Sequence, residues 1–191
     1  MKKINKLAIF CGSKTGNNEL YSNHAKEFAD ILALYKIELV YGGGRRGLMG
    51  IVADTVIQEG GIVRGVIPQM LIDWEHQHEN LSELLVVEDM HVRKRKMYDL
   101  CDAVIILPGG FGTLDELFET LTWNQLSIHD KKVFILNSGG FYDHLLQHLL
   151  FLSSEGFLWG EFKEQLTVLN EPKDFIKHIE GNEVGGLMSD V

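Results

Sequence analysis

The sequence predicts an α/β fold on a doubly wound, mainly parallel sheet of about seven strands with helices on both faces. Three observations carry this reading. Short apolar runs dense in Val and Ile recur along the chain; longer amphipathic stretches separate them; and several of the runs end directly in glycine. Strands buried on both faces and joined by crossover helices produce that order, the arrangement called Rossmann-like.

The apolar runs are residues 6–11, 38–41, 62–67, 84–87, 103–107, 132–136 and 166–169. Between or after them, residues 19–35, 48–59, 91–101, 113–127, 142–155 and 173–180 place apolar side chains at helical spacing. Residues 68–82, PQMLIDWEHQHENLS, show neither period and read as a long surface loop able to cover a site. Residues 1–181 are expected to form one Rossmann-like domain, with 182–191 a flexible tail.

A chain of 191 residues with 45% hydrophobic and 24% charged residues and a mean hydropathy of -0.01 has the composition of a globular protein. Its net charge of -9 disfavours nucleic acid, because polyanion affinity depends on clustered Lys and Arg. Small anions remain accessible, since a local pocket can oppose the global sign. Cys11 and Cys101 show neither CxxC spacing nor a disulfide framework, which points to a reducing compartment and buried thiols. The apolar run 7–11 is too short for a signal-peptide core or a membrane span, so the expected location is the cytoplasm.

In an open parallel sheet ligands bind beyond the carboxyl ends of the strands, which directs attention to CGSKTGN, YGGGRRGLMG and LPGGFGTLDE. In the last of these Pro108 ends the strand, and Gly109, Gly110 and Gly112 remove the side chains that would keep a ligand from the backbone. Thr113 is expected at the helix N-cap, so free amides, the helix dipole and a hydroxyl would converge on one anion such as a phosphate monoester. A plainer reading is a tight turn in which Thr113 and Glu116 form a capping box.

The loop from Tyr41 to Gly50 matches G-x-G-x-x-G at Gly42, Gly44 and Gly47, with Gly43 inside it. The following strand, IVRGVI, lacks the acid that would hold a dinucleotide ribose, which disfavours NAD. No G-x-x-x-x-G-K-[ST] is present, so the ordinary P-loop reading falls as well. In MHVRKRKM, residues 90–97, charges spread around a helix; Arg93 is the one expected to present a planar fork to an anion, with Lys94 or Lys96 left to solvent or an interface.

His76, His78 and His91 lack zinc-motif spacing and read as surface histidines; His144 and His148 read as a structural pair. Neither a metal nor a cofactor is predicted. Glu75 and Glu79 could add a carboxylate to the cleft, while Leu117, Phe118 and Leu121 are either core or interface.

Taken together, GGGxxGLMG, MHxRK and PGGxGTxxE, with CGS near Cys11, GVIP at 65–68, TWNQL at 122–126 and GFY at 140–142, resemble the LONELY GUY (LOG) family. Its members are cytokinin riboside 5′-monophosphate phosphoribohydrolases, and many bacterial ones carry the label "possible lysine decarboxylase". The resemblance implies a homodimeric N-glycosyl hydrolase that cleaves AMP or N6-modified AMP to free base and ribose 5-phosphate. It implies Glu116 and Arg93 as catalytic, and Gly109, Gly110, Gly112 and Thr113 as phosphate-binding. Gly43, Gly44, Glu75, Met90, Lys94 and Thr122 are expected along the nucleotide. Departures from the pattern are Arg45-Arg46 and Asp115. A decarboxylase would need a pyridoxal cofactor on a reactive lysine, and no lysine stands out. The alternative from another class is a nucleotide sensor without catalysis.

Overall fold

The computed structural model describes residues 3–75, 77–159 and 162–180. Seven strands form one sheet: β1 (Lys6–Phe10), β2 (Glu38–Tyr41), β3 (Val63–Pro68), β4 (Glu83–Val87), β5 (Ala103–Ile106), β6 (Lys132–Leu136) and β7 (Leu166–Leu169). Their spatial order is β4-β3-β2-β1-β5-β6-β7, and every neighbouring pair is parallel. The order reverses between β1 and β5, so the loops leaving these two strands diverge and open a crevice at their carboxyl ends.

The helices are α1 (Glu19–Leu34), α2 (Gly47–Gln58), α3 (Gln69–Glu75), α4 (Met90–Leu100), α5 (Phe111–Gln125), α6 (Asp143–Ser154), α7 (Phe162–Gln165) and α8 (Ile176–Glu180). Alternation along β1 shows how two layers arise from one strand. Leu7 and Ile9 enter the core beneath α1 and α2, whereas Ala8 and Phe10 enter the core with Met97 and Tyr98 of α4 and Leu117 of α5. Phe28 of α1 and Phe134 of β6 meet over Phe175 at ring distances of 5.0 and 5.1 Å, all three fully buried. Each such ring contributes about 1.5–3 kcal/mol through burial.

Local sequence sets the helix ends that matter for the site. Asp89 accepts the Val92 amide at 2.8 Å and starts α4, which therefore begins at Met90, one residue before the expected start. Gly110 starts α5 without a side-chain cap. Thr113 is accordingly not the N-cap: it lies inside the first helical turn, and the capping box of the plainer reading does not form. The stretch 68–82 is also not all loop, because Pro68 closes β3 and Gln69–Glu75 form α3. A short helix of barely two turns carries too few apolar positions for its period to register in sequence. The side chain of Glu75, together with His76 and residues 182–191, falls outside the described residues.

Candidate active site

Three strand-to-helix loops meet at the crevice and are held by hydrogen bonds to backbone carbonyls. Gly12 N–H donates to Pro108 O at 2.9 Å, Leu48 N–H donates to Gly12 O at 3.0 Å, and Tyr142 Oη donates to Leu107 O at 2.7 Å. The cavity they enclose, about 210 Å³, is lined by Cys11, Gly12, Ser13, Gly42, Met49, Arg93, Gly110, Phe111, Gly112, Thr113 and Glu116, over a floor of Ile9 and Phe10. A second cavity of about 420 Å³ adjoins it through Gly12, Ser13 and Gly110. A larger one, about 700 Å³, opens at the amino ends of β6 and β7 beside Lys132, Thr167 and His178, where no glycine loop delivers free amides.

The PGGFGT loop divides its glycines between two tasks. A Cβ on Gly109 would lie 2.1 Å from Thr113 Oγ1, so this position must be bare for the loop to close on the buried Thr113. Gly110 and Gly112 meet nothing within 4 Å, and their open side faces the cavity. With no side chain capping α5, the first-turn amides are left for a ligand, and the helix dipole favours an anion there.

Arg93 is buried, at 6% exposure, and held by carbonyls rather than carboxylates. Its Nε donates to Val66 O at 3.1 Å and its Nη2 to Gly42 O at 3.4 Å, while Nη1 has only the Met90 sulfur at 3.7 Å. The guanidinium lines the cavity with carbonyls, not carboxylates, as its hydrogen-bond partners. Glu116 shares that cavity at 9% exposure. Burial pushes its carboxyl up to about 7; the Arg93 charge opposes the shift, Asp115 adds to it, Lys94 opposes it and Glu119 adds to it. Its backbone is pinned as well, because Glu116 O accepts from Thr120 Oγ1 at 2.6 Å and from Tyr98 Oη at 3.2 Å.

The structure thus brings Arg93, Glu116, Gly110, Gly112 and Thr113 into one cavity. It does not bring Lys94 to solvent: that residue is buried, with Nζ at 3.1 Å from Asp115 and 2.9 Å from Glu119. In the β2 to α2 loop it is Gly42 that lines the cavity, while Gly43 O accepts the His78 amide and Gly44 bridges Gln77. His78 is not a surface histidine; it is buried, and its Nε2 lies 3.0 Å from Asp54 Oδ1. Thr122 is exposed on α5, nine residues or about 13 Å along the helix from Thr113. Leu117 and Leu121 belong to the core, whereas Phe118 is 41% exposed.

Sequence reasoning singled out the CGSKTGN loop but proposed none of its residues for the site, yet Cys11, Gly12 and Ser13 all line the cavity. The available signal was the position of CGS at the end of the strand that flanks the reversal in strand order.

A profile of the family described as "Possible lysine decarboxylase" matches residues 49–179. Two proteins of Arabidopsis thaliana, the cytokinin riboside 5′-monophosphate phosphoribohydrolases LOG5 and LOG1, are 40% and 42% identical over 93% of this chain and 78% and 84% of their own lengths. This chain belongs to the LOG family. The molybdenum cofactor binding protein from Rippkaea orientalis has the same fold, with a TM-score of 0.69 over 96% of this chain and 99% of its own at 22% identity. LOG-family membership rests on alignments over 93% of this chain, more of it than the 49–179 matched by the profile.

Proposed function

We propose that this LOG-family chain hydrolyses the N-glycosidic bond of AMP or N6-modified AMP, releasing the free base and ribose 5-phosphate. The observation that carries this reading is the pairing of a buried carboxyl, Glu116, with a carbonyl-held guanidinium, Arg93, beside uncapped helix amides. The names of the Arabidopsis relatives support the same chemistry.

The geometry performs it as follows. The 5′-phosphate takes the amides at Gly110–Thr113, and its binding energy positions the ribose over Glu116. The bond between ribose C1′ and the base nitrogen breaks, its electron pair leaves with the base, and the base takes up a proton from solvent. Positive charge develops on the ribose, where the Glu116 carboxylate stabilises it. Water attacks C1′ and gives its proton to Glu116, whose pKa near 7 suits acceptance at neutral pH. Arg93 keeps enough positive charge nearby for the carboxylate form to persist in a buried site.

The decarboxylase description finds less support. Lys94 is the buried lysine among the described residues; burial acts to lower its pKa, but hydrogen bonds to Glu119 and Asp115 outweigh that and raise it. A Schiff-base lysine must instead lose its proton readily. Chromatography of reactions with AMP, N6-isopentenyl-AMP, adenosine and lysine tests the assignment. Free base from the monophosphates is expected; cadaverine from lysine, with no base released, would refute it.

We further place the protein in the cytosol as a homodimer. Two free, buried thiols suit a reducing compartment, and exposed Val92 and Phe118 are the contact residues to test. Light scattering of Phe118→Asp should then show a loss of dimer mass.

A further inference from the structure

We propose that Lys94 is a positioning residue, whose ammonium clamps Asp115 and Glu119 so that α5 is held against α4 and Glu116 keeps a usable negative charge. The inference rests on the assignment of Glu116 to the reaction centre and concerns what controls it.

On α4, Arg93 and Lys94 are adjacent and point about 100° apart, so one helix serves two partners. Arg93 reaches the carbonyls at the ends of β2 and β3, while Lys94 reaches α5. Asp115 and Glu119, four residues apart, share a face of α5; Glu116 is turned toward the cavity between them in sequence. Three carboxylates within five residues repel one another unless a cation intervenes.

The three do not depend on Lys94 equally. The Asp115 side chain is 62% exposed and well solvated, so its arm of the clamp is weak. The Glu119 side chain is only 18% exposed, and its Oε2 is buried without a hydrogen-bond partner. Its charge is therefore balanced by the 2.9 Å contact of Oε1 with Lys94. Removing the ammonium would strand a buried carboxylate beside Glu116.

The groups acting on Glu116 come from every element around it: Arg93, Lys94 and Tyr98 from α4, Asp115 and Glu119 from α5, and Cys11 at the end of β1. Arg93 and Lys94 are the cations in that set, and Arg93 is engaged with carbonyls. Lys94 thus acts on the balance both directly and through the acids on either side of Glu116, without lining the cavity itself.

The test is a titration of the Glu116 side-chain carbon by NMR in the full chain, with its signal assigned from Glu116→Gln, run beside the pH profile of base release from AMP. Lys94→Met should move the Glu116 titration upward by about one pH unit and cut base release at pH 7 roughly fivefold. Lys94→Arg should restore both, and adding Glu119→Gln to Lys94→Met should restore them in part. Should Lys94→Met not fold, Glu119→Gln alone must move the Glu116 titration downward. An unchanged Glu116 titration in a folded Lys94→Met or Glu119→Gln protein overturns the proposal. A shifted titration with unaltered base release upholds the clamp and instead removes Glu116 from the reaction centre.

Discussion

The guanidinium of Arg93 occupies the space that a side chain on Gly42 would need: a Cβ there would lie 2.0 Å from Nη2. The β2 to α2 loop and α4 are therefore mutually dependent, since the bare glycine admits the arginine and the arginine satisfies the glycine carbonyl at 3.4 Å. Gly42→Ala is expected to push Arg93 off both carbonyls and to lose base release as fully as Arg93→Ala does. Steady-state assays of the two variants check this, and a Gly42→Ala enzyme with ordinary kcat would contradict it.

Glu116→Gln should lower kcat by about 10²–10⁴ with little change in AMP binding, because the amide keeps the shape but can neither accept the proton nor balance charge on the ribose. Isothermal titration with AMP and a chromatographic assay separate the two effects.

The same substitution should stabilise the fold at alkaline pH. Burial raises the Glu116 pKa from 4.5 to about 7, so the folded state holds the proton more tightly than the unfolded chain. The penalty is absent below about pH 4.5, grows between the two values and reaches at most about 3 kcal/mol above pH 7. Thermal melts should show Glu116→Gln gaining on the parent protein at pH 8 and matching it at pH 4.

Activity should follow the opposite course. With the carboxylate as the working form, kcat/KM falls about tenfold per unit as pH drops below the Glu116 pKa of about 7. A flat profile between pH 5 and 7 would exclude Glu116 as the group that accepts the proton.

The glycines of the phosphate loop should separate under substitution. Gly112→Ala meets nothing within 4 Å and lies within α5, so it should stabilise the protein by about 0.5–1 kcal/mol while raising KM for AMP. Gly109→Ala collides with Thr113 and should destabilise it. Melting temperatures and KM values for the pair distinguish a bare wall facing ligand from one facing protein.

The order of strands and helices was legible because burial on both faces writes dense Val and Ile runs such as 103–107, and one-sided burial writes the helical period of 19–35. That Glu116 and Arg93 meet in one cavity was legible for a different reason: each stands in a motif that resembles the family's. Helix α3 was not, since seven residues hold too little of a period, and the start of α5 was misread because both Gly110 and Thr113 can begin a helix.

Strand and helix identity follow from local patterning, and with them the loops at which a nucleotide could bind. The environment of each charge does not. Lys94 reads as one cation in a basic run, and only the packing of α4 on α5 sets it between Asp115 and Glu119. Gly42, rather than Gly43 or Gly44, lines the cavity, where Arg93 crosses from α4 to meet it. Contacts between residues far apart in sequence determine burial, and burial determines which side chain of a motif carries a shifted charge.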